Sequence, residues 1–342
     1  MKKRMLALLL IAVLLLAACG GGAPAPSPSP EPTPVAPTEP TEPTEPAEAD
    51  IDWPATIEFV VPANPGGDTD FNARTLAQEL SQRLPSNFIV TNMPGGGGSI
   101  AGRHVFDSPA DGTSALFWHT GFLTSYHVGV LDFGIDEFAF GGIVGHAPGQ
   151  ALIIRADLGI NTLEELFAYA DENPGSLSIG IEFGAFSFVV ATLLIQEGLQ
   201  VNLVEAGPAA DRVSNMLGGH LDMTMVGLGL VGDHLREGNF VALGLDGGVD
   251  VTLEGVPTVL AYSNQGIDLV LPQLYFYAFP PGTDAALIEA INAELVDIIF
   301  NNPEYAELIN TTFFQEPAFF PSAEGLAMLM EISALIGSID FN

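Results

Sequence analysis

The chain has 342 residues, of which 42 are Asp or Glu and nine are Lys or Arg, and its formal net charge is −33. No lysine follows Lys3, so the chain lacks the basic face that phosphate contacts need, which argues against a nucleic-acid partner. Its single cysteine excludes an intrachain disulfide. The acidity is better explained by a solvated surface than by a binding site.

The N-terminal 19 residues have the pattern of a targeting segment. A basic start, Lys2-Lys3-Arg4, precedes an apolar run from Met5 to Ala18, which is shorter than the ~20 residues of a membrane-spanning helix. The run ends in Leu-Ala-Ala-Cys-Gly, which resembles the processing box of bacterial lipoproteins. We therefore predict a signal peptide over residues 1–19 with Cys19 as the lipid-modified residue. An ordinary secretory signal with an incidental cysteine is the alternative.

Residues 20–50 contain ten prolines and repeats of Thr-Glu-Pro. This composition predicts an extended, partly polyproline tether, which at ~3.1 Å per residue would reach ~95 Å from a lipid anchor. The globular part is then residues 51–342, which is long enough for two domains. We expect an extracytoplasmic location, anchored to the cell membrane at the cell surface or in a periplasm.

From residue 51 onward, short β-rich runs alternate with helical patterns. The predicted strands are 57–61, 88–91, 114–118, 150–154, 178–181, 203–205, 223–226 and 241–245. The predicted helices are 71–84, 162–173, 187–197, 209–217, 228–237, 285–301, 303–310 and 322–336. This alternation predicts an α/β architecture with mainly parallel sheets, in which ligands lie at the carboxyl ends of strands.

The stretch from Pro62 to Asp70, Pro-Ala-Asn-Pro-Gly-Gly-Asp-Thr-Asp, joins the first predicted strand to the first predicted helix. Such a turn gathers unpaired backbone amides at the positive end of a helix dipole, so it can hold a carboxylate without Lys or Arg. The residues of this turn that we predict to bind the ligand are Asn64, Pro65, Gly66, Gly67, Asp68, Thr69 and Asp70.

Three further loops follow predicted strands, and each is either a ligand loop or a plain tight turn. They are residues 92–99, residues 119–121 and residues 182–187. The sequence has no phosphate-binding G-x-x-x-x-G-K-[ST] motif, no G-x-S-x-G motif and no paired histidines at zinc-ligand spacing. We therefore predict a protein that is not an enzyme and binds no cofactor or metal.

Several short motifs occur in a characteristic order. They are Trp53-Pro54, the loop from Pro62 to Asp70, the glycine loop from Asn92 to Ile100, Pro-Ala-Asp-Gly from Pro109, Leu-Gly-Gly-His-Leu-Asp from Leu217, Val256-Pro257-Thr258 and Pro-Pro-Gly-Thr from Pro280. Each motif is weak alone, but their joint order and spacing are specific. The chain resembles the substrate-binding receptors of tripartite tricarboxylate transporters, the Bug family of periplasmic binding proteins.

The resemblance implies a type II periplasmic-binding-protein fold, in which two α/β domains joined by crossover strands close on a ligand like a Venus flytrap. Domain one would be residues 51–149 plus 272–342, and domain two residues 150–271. In this family loop amides and bridging waters, rather than an Arg, hold the ligand carboxylate. The further contacts that it implies are Gly184, Ala185, Phe186 and Ser187. We also predict ligand contacts at His119 and Thr120, in the loop after the third predicted strand, and at Gly207.

The chain departs from the family pattern in two loops. The loop from Gly184 has two aromatic residues and no histidine, and Val-Glu-Ala-Gly from Val204 replaces Tyr-Lys-Gly-Gly. We therefore expect a monocarboxylate, a dicarboxylate, or a ligand with an apolar or cationic portion rather than a highly charged tricarboxylate. Glu182, Glu205 and Asp68 either face such a cationic portion or are plain surface carboxylates.

Asp70 allows two interpretations, as the N-cap of the first helix or as a ligand contact. Arg74, one turn further on, is predicted to pair with Asp70 and to be the only Arg near the cleft.

The resemblance implies a lipid-anchored receptor that captures a small organic acid or related carboxylated ligand and delivers it to membrane permease subunits. We expect a monomer. The alternative keeps the fold but makes the protein a surface sensor or scavenger without a transport partner.

Overall fold

Two β-sheets covered by helices organise the computed structural model, which describes residues 51–341. In chain order the strands are β1 (Thr56–Val61), β2 (Asn87–Asn92), β3 (Ser114–His119), β4 (Ala139–Ala147), β5 (Gln150–Arg155), β6 (Ser178–Ile181), β7 (Asn202–Glu205), β8 (Met223–Gly227), β9 (Phe240–Leu245), β10 (Gln273–Phe279) and β11 (Phe320–Pro321). The predicted signal peptide, Cys19 and the proline-rich tether lie outside the described residues.

The helices alternate with these strands. They are α1 (Asp68–Arg83), α2 (Ser99–Phe106), α3 (Gly121–His127), α4 (Leu163–Glu172), α5 (Phe186–Gln196), α6 (Ala209–Leu217), α7 (Leu228–Arg236), α8 (Ala285–Asn301), α9 (Pro303–Phe313) and α10 (Ser322–Gly337). Every predicted strand and helix is present, with ends that differ from the prediction by no more than three residues. The α/β fold class is confirmed.

The two sheets occupy different parts of the chain. The first has the spatial order β11-β4-β10-β3-β1-β2, and the second has the order β7-β6-β8-β5-β9. The chain leaves the first sheet between β4 and β5 and returns to it between β9 and β10. This arrangement makes two lobes with two crossovers. The division into domains at residues 149/150 and 271/272 stays a prediction.

Parallel pairing predominates in neither sheet, so the expectation of mainly parallel sheets was wrong. Strand β1 pairs in parallel with β2 and β3, and β6 pairs in parallel with β7 and β8. However, β10 is antiparallel to β3 and β4, and β5 is antiparallel to β8 and β9. The physical reason is the crossovers, because β5 and β10 enter their sheets from the other lobe and run against the strands of the βαβ units.

The core of the first sheet is aromatic and centres on β10, all of whose residues are buried. Phe276 packs between Phe122 and Phe140, with ring centroids 6.2 and 5.7 Å away. On the other face Tyr277 packs against Phe59. Helices cover both faces of this sheet, which explains why β10 is apolar along its length instead of alternating.

Asp246 is a fully buried carboxylic acid at the crossovers. Its Oδ1 accepts a hydrogen bond from the backbone N–H of Gln150 at 2.7 Å, and its carbonyl accepts one from Leu271 at 2.8 Å. It therefore ties the start of β5 to the segment before β10. Burial raises the pKa of Asp246 well above its usual value, although the Gln150 hydrogen bond opposes this shift.

We expect Asp246→Asn to stabilise the protein increasingly as pH rises. Because its pKa is raised in the folded state, Asp246 keeps its proton to a higher pH there than in the unfolded chain, so this group lowers stability as pH increases above about 4. Asparagine keeps the acceptor for Gln150 and needs no proton. Thermal unfolding at pH 4 and pH 8 should show little difference at pH 4 and a Tm about 2–4 °C higher for the variant at pH 8, on the order of 1 kcal/mol. A difference in Tm that does not grow with pH would contradict this assignment.

Candidate functional site

A cavity of about 160 Å³ is lined by loops from both lobes. This volume is below the roughly 300–1,000 Å³ of pockets for drug-sized ligands, so it suits a small metabolite. The lining residues of the first lobe are Pro62 to Thr69, Gly97, Gly98, Trp118, His119, Gly121 and Phe313. Those of the second lobe are Gln150, Glu182, Ala185 to Ser187, Pro208 to Ala210, Arg212, Gly227 and Leu230.

Most of the residues predicted to bind the ligand meet at this cavity. Those that line it are Asn64, Pro65, Gly66, Gly67, Asp68, Thr69, His119, Ala185, Phe186 and Ser187. Four predicted residues, Asp70, Thr120, Gly184 and Gly207, lie behind the wall instead. Their contacts are with the protein, so we assign them to the support of the site.

Two of these four, Thr120 and Gly184, hold loops in place. The hydroxyl of Thr120 donates to the carbonyl of Pro272 at 2.9 Å. The carbonyl of Gly184 accepts from the hydroxyl of Ser125 at 2.6 Å, and the same hydroxyl contacts the carbonyl of Gly97 at 2.5 Å. Ser125 thereby joins a loop of the first lobe to a loop of the second.

Asp70 shapes the turn before α1, but it is not the N-cap of the helix. Gly67 occupies the N-cap position, and the Asp70 carboxylate reaches back to the N–H of Gly66 at 2.9 Å. The predicted pair with Arg74 is confirmed at 2.9 Å. Burial opposes ionisation of Asp70, but hydrogen bonds from Arg74, Gly66 and Asn92 outweigh it and lower the pKa of Asp70. The N-cap interpretation was wrong because the helix begins at Asp68.

Five helices begin at the cavity wall. Their N-cap residues are Gly67 for α1, Gly98 for α2, Ala185 for α5, Pro208 for α6 and Gly227 for α7, and all five line the cavity. Within the described part of the chain, none of these five residues caps its helix with a side chain. The first-turn amides have no intrahelical acceptor, so they and the helix dipoles favour an anion in the cavity.

Three helices that begin elsewhere have side-chain caps. The N-cap side chains of α4, α8 and α9 accept hydrogen bonds from first-turn amides, and these residues are Thr162, Asp284 and Asn302. Helix α10, whose N-cap is Pro321, has no such cap. Because Gly, Ala and Pro offer no side-chain acceptor, the first-turn amides at the cavity remain available to a ligand, apart from the N–H of Thr69, which donates to Asp68.

The carboxylate of Asp68 lies in the cavity wall and accepts its hydrogen bonds from the protein itself. Its Oδ2 accepts from the hydroxyl of Tyr275 at 2.6 Å and from Nε2 of Gln273 at 2.8 Å. Its Oδ1 accepts from the N–H of Thr69 at 2.8 Å. Both oxygens therefore have donors from the protein.

His119 is a neutral donor at the end of β3. Its Nδ1 accepts from the N–H of Gly121 at 2.9 Å, so the ring proton is on Nε2. Burial lowers the pKa of His119 to about 4, against the opposing effect of Asp68. At neutral pH the ring is uncharged and can donate a hydrogen bond from Nε2.

Arg212, which the sequence interpretation missed, is the cation of the cavity. Arg212 is only 3% exposed to solvent. Its guanidinium donates to the hydroxyl of Thr224 at 2.9 Å and to the carbonyls of Gly207 at 2.6 Å and Met225 at 2.9 Å. Burial lowers the pKa of Arg212 to about 10, although Glu182 opposes this, so the group stays charged at neutral pH.

The expectation that Arg74 is the only Arg near the cleft was therefore wrong. The Arg74 side chain is 50% exposed and does not line the cavity. A signal for Arg212 was present in α6, where Ala209, Arg212, Val213 and Met216 have the spacing of one helical face. A charged residue on a face that is otherwise apolar points inward.

Of the acidic residues considered as partners for a cationic ligand portion, Glu182 lines the cavity and Glu205 does not. Glu205 is exposed, and its carboxylate accepts from the N–H of Phe183 at 2.7 Å. Burial raises the pKa of Glu182, while Arg212 and a hydrogen bond from the N–H of Gly97 oppose the rise.

Each lobe contains a mixed β-sheet covered by helices, and the two lobes are joined by two crossovers and share a small cavity. This arrangement defines a periplasmic-binding-protein fold of type II with two domains. The chain belongs to the tripartite tricarboxylate transporter family receptors, whose model matches residues 72–330. No helix within residues 51–341 is long and apolar enough to cross a membrane.

Individual relatives agree with this family. Protein BugT of Bordetella pertussis is 26% identical over 248 residues, which are 70% of this chain and 74% of BugT. MatC from Rhodopseudomonas palustris with bound malate superposes with a TM-score of 0.73 at 18% identity, over 83% of this chain and 99% of MatC. Another R. palustris protein, Rpa4515 with adipate, has a TM-score of 0.73 at 19% identity, over 83% of this chain and 96% of its own.

Proposed function

We propose that this protein is an extracytoplasmic solute receptor, not an enzyme, that captures a small carboxylated metabolite in the cavity between its lobes. The observation that carries the proposal is the convergence of five helix N-termini without an N-cap side chain, together with the buried Arg212, on one small cavity. These groups stabilise a negative charge in the cavity, although the surface of the protein is strongly acidic. Malate and adipate in the two R. palustris proteins of the same fold support a carboxylate ligand.

The donors around the cavity suit carboxylate oxygens. Ser187 Oγ accepts from the N–H of Glu182 at 3.1 Å, which leaves its hydroxyl proton free to donate into the cavity. His119 Nε2–H and the guanidinium of Arg212 supply further donors. The buried residues among these donors, His119 and Arg212 included, act at a lower effective dielectric than groups in bulk water.

Family membership supports delivery of the ligand to a tripartite tricarboxylate transporter permease. In this proposal Cys19 carries the lipid anchor, and the proline-rich segment keeps the receptor within reach of the permease. Contact between the lobes through Ser125 provides the closed state that retains the ligand during transfer.

A thermal-shift screen of the full-length chain tests the binding function. The screen should contain small mono-, di- and tricarboxylates and amino acids, each with its neutral amide as a matched control. A ligand that binds only the folded state contributes ~2.7 kcal/mol at a hundredfold excess over its dissociation constant. We expect at least one carboxylate to raise Tm by several degrees while its amide does not. Equal shifts for acids and amides, or no shift with any carboxylate, would contradict the proposal.

A further inference from the structure

The guanidinium of Arg212 is buried and forms no ion pair, although Glu182, Glu205 and Asp211 act on its charge from beyond 4.0 Å. Its three protein acceptors are a hydroxyl and two carbonyls, all of them neutral. Among residues 51–341, no carboxylate lies within the 4.0 Å of an ion pair with Arg212. A guanidinium has five N–H donors, so two remain for another partner. Because a buried charge is costly unless it is paired, this residue fits an anionic ligand group.

The carboxylate of Glu182 also has few hydrogen-bond partners. Its carboxylate lines the same cavity and accepts one hydrogen bond, from the N–H of Gly97. A carboxylate offers about four acceptor positions, so most of them are unfilled. It too has no ion pair within 4.0 Å in the described part of the chain. This residue fits a cationic ligand group.

The other titratable groups of the cavity wall do not change this balance. The acceptor positions of the Asp68 carboxylate are occupied by donors from Tyr275, Gln273 and Thr69. His119 is uncharged at neutral pH. The ligand therefore meets one available positive charge, on α6, and one available negative charge, at the end of β6.

Resting on the proposed function, we propose that the site selects a small zwitterion, a carboxylate that also carries an amine. The ligand carboxylate lies against Arg212 and the uncapped helix N-termini, and its ammonium group lies against Glu182. A dicarboxylate satisfies Arg212 equally well. Its second carboxylate, however, lies near Glu182, and the described lining residues hold no second cation. Like charges brought together in the cavity cost affinity.

A matched series of four-carbon acids tests this selection by isothermal titration calorimetry on the full-length chain at pH 7.5. The probes are butyrate, 2-, 3- and 4-aminobutyrate, and succinate. They differ chiefly in whether the carbon chain carries no second charge, an ammonium or a second carboxylate. We expect at least one aminobutyrate to bind about tenfold or more tightly than butyrate, and succinate to bind more weakly than that aminobutyrate by at least about the same factor.

Glu182→Gln isolates the charge, because glutamine keeps an acceptor for the N–H of Gly97. We expect this variant to lose the advantage of the aminobutyrate over butyrate and to bind succinate several-fold more tightly than the wild type. Asp211→Asn is the matched control, because Asp211 is an exposed neighbour of Arg212 that does not line the cavity. It removes the same charge and should leave all five affinities within about twofold.

The outcomes separate this inference from the proposed function. Succinate binding the wild type as tightly as every aminobutyrate would overturn the inference and leave the receptor function standing. The same conclusion would follow if Glu182→Gln changed the affinities for aminobutyrate and succinate in parallel. If no carboxylate in the wider screen binds at all, both are overturned.

Discussion

Replacing Arg212 with methionine is expected to lower the affinity for the best carboxylate ligand by about 100-fold or more. Removing one partner of a buried, hydrogen-bonded charge pair costs on the order of 2–5 kcal/mol, and each 1.4 kcal/mol is about tenfold in affinity. Methionine has a similar length and fills much of the same space, so the cavity should keep its shape. Calorimetric titration of the variant and the wild type with the same ligand measures the loss.

Arg236→Met is the matched control for this prediction. It removes one positive charge at a half-exposed residue outside the cavity wall, whose ion-pair partner Asp233 is itself exposed, so its affinity should stay within about twofold of the wild type. Arg212→Met also leaves the carbonyls of Gly207 and Met225 without their donor, which we expect to cost about 1–3 kcal/mol of stability. Tm of both variants identifies any loss of binding that is caused by unfolding. Equal ligand affinities for the two folded variants would show that Arg212 does not hold the carboxylate.

Gly98→Ala is expected to produce the largest loss of stability. Gly98 has φ +89°, a left-handed conformation, and a Cβ placed there would lie 2.1 Å from Cζ2 and Cη2 of Trp118. The backbone strain costs about 1–3 kcal/mol and the overpacking a similar amount. We expect Tm to fall by roughly 5–15 °C. Because Gly98 and Trp118 both line the cavity, the displaced indole should also weaken ligand binding by tenfold or more.

Gly129→Ala separates backbone strain from the clash. Gly129 has φ +75°, and a Cβ at this position would have no atom within 4 Å. This variant should therefore lose only the conformational part of the stability, and its ligand affinity should not change. Thermal unfolding and titration of both variants make the comparison. If Gly98→Ala is no less stable than Gly129→Ala, the contact with Trp118 is not tight enough to define the cavity.

The turn from Pro62 to Thr69 could be predicted because its chemistry is local. Pro-Gly-Gly between an apolar strand and an amphipathic helix indicates a turn that begins a helix, and Gly66 indeed has φ +87°. The same local logic made residues 182–187 after β6 a candidate ligand loop, and the family resemblance implied its contacts Ala185 to Ser187. In both cases the sequence next to the strand end determines the backbone that reaches the cavity.

Strands β4 and β10 were not predicted, and they are the strands that make the first sheet mixed. In β4, Gly141 and Gly145 give the segment the composition of a loop. In the structure a Cβ at Gly141 would lie 2.3 Å from the ring of Tyr277, and one at Gly145 would lie 3.2 Å from Tyr275. These glycines make room for the tyrosines of β10. A contact between residues so far apart in the sequence leaves no local pattern.

The electrostatic pair of the cavity was also missed. Arg212 was not considered as a site residue, because Arg74 was taken to be the only Arg near the cleft, although the spacing of Arg212 with Val213 and Met216 placed it on the inner face of α6. Glu182 was recognised as a candidate, but its relation to Arg212 depends on the parallel pairing of β6 with β8, next to which α6 packs. The sequence alone could predict the amides of the site, and not the charges that select its ligand.

A crystal structure of the protein with the best ligand from the carboxylate screen tests the central claim most directly. We predict that the ligand carboxylate lies in the 160 Å³ cavity. It should form hydrogen bonds with the guanidinium of Arg212 and with first-turn amides of the helices that begin there. A ligand bound in another groove, or one whose carboxylate points away from Arg212 and these helix N-termini, would contradict it.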